Sequence, residues 1–168
     1  NWQAGIDGDN ATSGEWEWGE PNPTYWEGVL VQADSDHTED GTSCFVTGNI
    51  NDPNNVGADD VDGGETTLLS PILDLSDFDD VLLTYWRWYT NNAGDNPSSD
   101  YWNVEVSNNG GSTWISLENT TLSNTTWVKQ RFILSNYIEL TNQMQMKFVA
   151  EDVYYDGNNG SGGSLVEA

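Results

Sequence analysis

Apolar positions along this chain alternate with polar ones far more often than they recur at helical spacing. Residues 81–90, Val-Leu-Leu-Thr-Tyr-Trp-Arg-Trp-Tyr-Thr, form the longest strand-like run. A period of two puts Val81, Leu83, Tyr85, Arg87 and Tyr89 on one face, and Leu82, Thr84, Trp86, Trp88 and Thr90 on the other. Both faces are bulky, so this run is expected to be a central strand covered on both sides. Residues 101–118 read as a hairpin: Trp102, Val104 and Val106 alternate with Asn103, Glu105 and Ser107, and Asn108-Asn109-Gly110-Gly111 supplies the positive φ angles of a tight turn. Residues 126–134 and 143–150 read as two further strands. In the second, Met144, Met146, Phe148 and Ala150 point one way and Gln145, Lys147 and Val149 the other.

Residues 75–78 and 135–138 each read as a short helical turn, and 91–100 and 156–164 as Asn/Asp/Gly/Ser/Pro loops. Many short strands separated by turn signals predict an all-β chain, an antiparallel β-sandwich of jelly-roll type. A length of 168 residues suits a single domain with a full core. The pattern opens at Asn1-Trp2 with no strand before it and stops at Ser164-Leu165-Val166-Glu167-Ala168 within a strand. The sandwich is therefore expected to lack its first and last strands and to be part of a longer chain. No secretory leader is read at the start, and no apolar run approaches the length of a membrane-spanning helix.

Charge narrows the partners. With 28 acidic and 4 basic residues the formal net charge is −24. Nucleic acid and anionic membranes are disfavoured, because phosphate binding needs clustered Lys and Arg. Charge this one-sided repels itself, so folding should respond to salt and divalent ions. Disorder is excluded by nine Trp, seven Tyr and four Phe. Cys44 is alone, so no internal disulfide forms, and its neighbours Phe45 and Val46 suggest a buried strand thiol. One His and one such Cys offer too few ligands for a zinc site.

The acidic residues gather in loops: Asp7-Gly8-Asp9-Asn10, the stretch from Asp34 to Gly41, and Asp59-Asp60-Val61-Asp62-Gly63-Gly64-Glu65. A hard cation relieves such clusters, and Ca²⁺ takes six to eight oxygen ligands. No EF-hand is present, since the twelfth residue from Asp7 is Trp18 and from Asp34 is Phe45. A site assembled from separate loops is expected, with Asp9, Asp40, Asp60 and Asp62 as ligands and Asp7 and Asp36 in reserve. The plain alternative is that these are solvated turn residues. Trp16, Trp18 and Trp26, interleaved with glutamates, could stack on sugar rings as a glycan platform, against which stands packing at the sandwich edge. Four sequons, at Asn10, Asn119, Asn124 and Asn159, could carry glycans, the last three read as loop positions. With so many acids a glycosidase pair is unreadable, and no catalytic residues are assigned.

Three motifs carry a resemblance. They are Gly8-Asp9-Asn10-Ala11-Thr12-Ser13-Gly14-x-Trp16, Asp36-His37-Thr38-x-Asp40-Gly41-Thr42-x-Cys44-Phe45-Val46-Thr47-Gly48, and Asp60-Val61-Asp62-Gly63-Gly64-x-Thr66-Thr67-Leu68-x-Ser70-Pro71. Later come Tyr85-Trp86-Arg87-Trp88-Tyr89, Val106-Ser107-Asn108-x-Gly110-Gly111-x-Thr113-Trp114 and Gly163-Ser164-Leu165-Val166-Glu167-Ala168. Together they resemble the MAM-like jelly-roll modules near the C-termini of secreted bacterial zinc carboxypeptidases and other extracellular proteins. The resemblance spans nearly the whole chain. It implies a non-catalytic, extracellular accessory or adhesion module, often with bound Ca²⁺, whose partners are other domains of the same secreted chain. The alternatives are a subunit of an extracellular filament, assembled by strand donation between neighbouring copies, and a module that binds a surface glycan.

Overall fold

The computed structural model describes residues 1–52, 56–94, 96–152 and 164–168. Along the chain the strands are β1 (Gln3–Ala4), β2 (Trp16–Gly19), β3 (Thr24–Trp26), β4 (Val29–Gln32), β5 (Cys44–Thr47), β6 (Gly64–Leu69), β7 (Leu82–Gly94), β8 (Trp102–Ser107), β9 (Ile115–Thr120), β10 (Asn124–Ile133), β11 (Gln145–Asp152) and β12 (Ser164–Glu167). A 3₁₀ turn at Leu134–Asn136 and a hydrogen-bonded turn from Leu75 to Phe78 occupy the two places where helical turns are expected. The chain is an all-β antiparallel sandwich.

One sheet runs in the order β1-β6-β11-β8-β9 and the other carries β10-β7-β12. Their inner faces meet in a core of Leu68, Trp102, Val104, Met146, Phe148 and Ala150 from the first sheet against Leu83, Tyr85 and Tyr89 from β7. The two faces read along residues 81–90 are those observed. Tyr85 and Tyr89 point inward, where their rings contact Phe148 and Trp102. Trp86 and Trp88 point outward. His37 stacks on Trp86 with ring centroids 3.5 Å apart, and the indole nitrogen of Trp88 donates to the Val31 carbonyl at 2.7 Å. The β3–β4 ribbon and the 34–41 loop therefore form a cover over the outer face of β7.

Turn chemistry agrees with the sequence at the β8–β9 hairpin. Gly110 and Gly111 adopt φ of 65° and 84°, and the Ser107 hydroxyl accepts from the backbone N–H of Asn109 and Gly111. At the β3–β4 turn, Glu27 and Gly28 also take positive φ, 49° and 82°, the pattern of a two-residue hairpin turn.

The strands extend beyond their sequence-based limits in three places. β7 continues through Asn91 to Gly94, a stretch expected to be loop. Asn91 is fully buried, and its side chain donates to the Asp100 carbonyl and accepts from Ser123, so a polar residue is satisfied inside the sandwich. β11 runs on to Asp152. The region of Trp16 to Trp26, expected to be rich in loops, holds β2 and β3. The loop read at 156–164 falls outside the described residues, apart from Ser164, which opens β12.

Candidate functional site

Two features stand out once the strands are in place. The first is an acidic basin at one end of the sandwich interior. The inward row of β11, Met144 to Ala150, has its next member at Asp152, which is fully buried, and among the described residues neither carboxylate oxygen has a hydrogen-bond partner. Asp152 pairs with Gly64 on one side. On the other side Ala150 pairs with Trp102, and carrying that register two residues further sets Asp100 beside Asp152. Asp100 is also fully buried. Its carbonyl accepts from the Tyr89 hydroxyl at 3.1 Å, and its carboxylate accepts from Ser99 at 3.0 Å.

Asp62 and Asp60 approach from the segment leading into β6. Ser13 fastens that segment: its hydroxyl donates to the Asp60 carbonyl at 2.9 Å and to Asp62 Oδ2 at 3.4 Å. Thr12 N–H donates to the Asp62 carbonyl at 2.8 Å. Gly14 makes this crossing possible. At φ 71° a Cβ there would lie 2.4 Å from the Val61 nitrogen.

Electrostatics follow from the crowding. Burial first, then the charges of Asp100 and Asp62, push the Asp152 carboxyl up to about 7. Asp62 is half-buried, and burial raises its carboxyl as well. A buried carboxylate with neither a cation nor a donor is a costly arrangement. The donor set is all oxygen, which suits a hard cation such as Ca²⁺ rather than a thiolate- or imidazole-seeking metal. Among the described residues no group of three or more carboxylate, His or Cys side chains stands in a metal-holding arrangement, so an ion here would have to draw its ligands together.

Of the residues expected to hold calcium, Asp62 is the one whose charge bears on Asp152; Asp60 is buried two residues before it, and the others lie elsewhere. Asp9 braces a loop against β6: it accepts from the Thr67 N–H at 2.8 Å, the Thr67 hydroxyl at 2.7 Å and the Ile6 N–H at 3.2 Å. Asp7 and Asp9 line a polar groove of about 440 Å³ with Glu15 and Glu65. Asp36 accepts from the Thr38 N–H at 2.8 Å within its own turn, and Asp40 is exposed in the same loop, on the cover over β7. Asp100 and Asp152 escaped the sequence reading. The signal was the period of two in β11, which makes residue 152 an inward position filled by an acid.

The second feature is a break in the second sheet. Beyond β12, Ala168 is bonded to β5: Thr47 N–H donates to the Ala168 carbonyl at 3.0 Å, and the Ala168 N–H donates to the Thr47 hydroxyl at 2.9 Å. β5 pairs with β2. The β2–β5 pair, a separate two-stranded sheet, is thus fastened beside the β12 side of the second sheet through Ala168. β12 pairs with β7 only from Thr90 to Gly94. Over residues 82–88, β7 has β10 on one side and, among the described residues, no strand on the other. A cleft of about 170 Å³ opens there, with Cys44 and Phe45 on one bank and residues 85–88 on the other. Its lining includes inward Tyr85 and outward Trp86, so it passes through the plane of the sheet. Trp2 and Phe148 reach its inner end.

The remaining candidates separate by exposure. Trp16 is a core residue, 6% exposed, with its indole nitrogen donating to the Thr66 carbonyl at 3.2 Å and its ring against Trp102. It is not part of a surface platform. Trp18 and Trp26 are 65% and 40% exposed, and Trp18 stands edge-on to Phe45. Among the sequons, Asn119 and Asn124 lie in β9 and β10 rather than in loops, and Asn119 donates to the Asn103 side chain. The side-chain Oδ1 of Asn10 accepts from the Glu65 N–H at 3.0 Å. Asn159 lies outside the described residues. No protein-family model matches this chain, and the searches of curated proteins and of solved structures likewise returned no match.

Proposed function

We propose that this chain is a non-catalytic module of jelly-roll type from a secreted or cell-surface protein, stabilised by calcium, that serves as an accessory or adhesion unit of a larger extracellular assembly. The observation that carries this reading is the line between β5 and β7 that, among the described residues, no strand fills. Unpaired backbone groups on a strand edge recruit another strand. Here the edge is flanked by aromatic side chains on both faces, so an added strand would bury apolar residues as well as pair its backbone. A module with such an edge is suited to being joined to other polypeptide, and the resemblance to modules of secreted proteins points to other domains of the same chain as the donor. The surplus of negative charge favours a divalent cation as the stabilising ion.

The same open edge favours a second reading, in which neighbouring copies donate the strand and build a filament. The experiment is to measure the native assembly in the extracellular fraction that carries this chain, by negative-stain microscopy and light scattering. Discrete particles with additional mass support the accessory module. Regular filaments with a repeat on the order of 40 Å, the span of one domain of this length, support the subunit. A stable bare monomer at high concentration, with β7 paired on both sides, would rule out both. A surface glycan is the third class of partner: a calcium-containing glycan array on which Trp18→Ala and Trp26→Ala bind as the parent does would remove it.

A further inference from the structure

We propose that one hard divalent cation, calcium in an extracellular setting, draws Asp152, Asp100 and Asp62 together as its protein ligands at the inner end of the first sheet. This rests on the calcium-stabilised reading above and assigns the ion its place. Three acids are expected to repel one another, and that alone would say little. The deciding observation is that Asp152 is fully buried with both carboxylate oxygens unpartnered among the described residues. Native interiors rarely leave such a group unmatched, and each exception calls for an ion, a water or a proton.

Position supports a cation. Asp152 is fixed by the β11–β6 ladder, and Asp100, in the bend just before β8, is pinned beside it by the Tyr89 hydroxyl and the Asn91 amide, which both donate to its carbonyl. The Ser13 and Thr12 contacts hold the Asp62 segment over the same end. Asp62, half-buried, is the ligand nearest solvent and gives the ion its way in. Carboxylates alone leave Ca²⁺ short of its six to eight oxygens, so backbone carbonyls and water complete the shell. The four basic residues are otherwise engaged or distant in the fold: Arg87 pairs with Glu118, Lys147 with Glu105, Lys129 lies over Trp86, and Arg131 sits on β10 opposite Thr84.

The test compares the parent chain with Asp152→Asn, Asp62→Asn and, as a control, Asp40→Asn. Calcium alone is titrated by calorimetry after chelation, and thermal unfolding is followed at fixed ionic strength with and without calcium. The parent is expected to bind calcium and to unfold at a higher temperature in its presence. Asp152→Asn should weaken binding at least tenfold and erase the calcium-dependent rise. It should also make the calcium-free protein more stable than the parent, because one buried negative charge is gone. That last result separates a ligand from a residue whose loss merely damages the fold. Asp62→Asn should weaken binding, and Asp40→Asn should leave it unchanged. Parent-like calcium binding by Asp152→Asn would overturn the assignment while leaving the calcium reading intact. A parent chain that binds no calcium at millimolar concentration would overturn both.

Discussion

Arg87 and Glu118 meet across the sandwich interior: Nη2 of Arg87, on β7, lies 3.1 Å from Oε1 of Glu118, on β9, and the two side chains are only 5% and 12% exposed. The other carboxylate oxygen of Glu118 accepts from the Tyr85 hydroxyl and from the indole nitrogen of Trp102 at 3.2 Å. One acid on the first sheet thus satisfies donors from both. Burial, reinforced by Glu118, pushes the Tyr85 hydroxyl upward, so it remains a neutral donor at physiological pH. Replacing Glu118 by Leu strands a buried guanidinium. A loss of about 3–5 kcal/mol is expected, read as a drop in the urea midpoint. The double variant Arg87→Met/Glu118→Leu should recover most of it. A loss under about 1 kcal/mol for the single variant would mean that solvent reaches the pair.

Glycine positions should divide sharply. Gly48 sits at φ 54°, and a Cβ there would lie 1.6 Å from the Asp59 carbonyl oxygen, which is backbone. Gly28, at φ 82°, faces open space. Gly28→Ala should cost about 1 kcal/mol, the ordinary penalty of a left-handed residue. Gly48→Ala should cost roughly 3 kcal/mol or more, because the chain must shift as well. Equal denaturation midpoints for the two variants would contradict the close approach of residues 48 and 59.

Cys44 should be a slow thiol. Burial, and then the charge of Asp36, push it up to about 11. At pH 8 roughly one molecule in a thousand carries the reactive thiolate. Alkylation by iodoacetamide should be on the order of 100-fold slower than that of an unfolded chain, should accelerate as pH rises toward 11, and should recover fully in guanidinium. Rapid modification of the folded protein would show that the bank of the cleft formed by β5 opens in solution.

Calcium removal should lower the thermal midpoint. At a concentration 100 times the dissociation constant a ligand adds about 2.7 kcal/mol, or roughly 5–10 °C for a domain of this size. Sodium chloride should also raise the midpoint, by screening the net charge of −24. The calcium comparison is therefore made at constant ionic strength. An identical midpoint in calcium and in chelator would argue that the basin is held neutral by protons.

Alternation along the chain by itself determined the all-β class, the inward face of β7, the β8–β9 hairpin and the buried row of β11. These follow from local rules, a two-residue period and glycine at positive φ, that act over a few neighbours. What alternation could not supply was reach. Trp16 and Trp18 share a face of β2, yet one is core and the other is among the most exposed aromatics, because the opposing sheet covers only the first. Asp9 resembles Asp62 in sequence, but the fold spends its carboxylate on Thr67. Asp152 gains its meaning from Asp100, fifty-two residues earlier, which the pairing of β11 with β8 brings alongside from the bend before β8. The bonds between Ala168 and Thr47 likewise join residues 121 apart in the chain. Pairing partners distant in the chain are chosen by the summed burial of whole faces, and no short stretch of residues contains that sum.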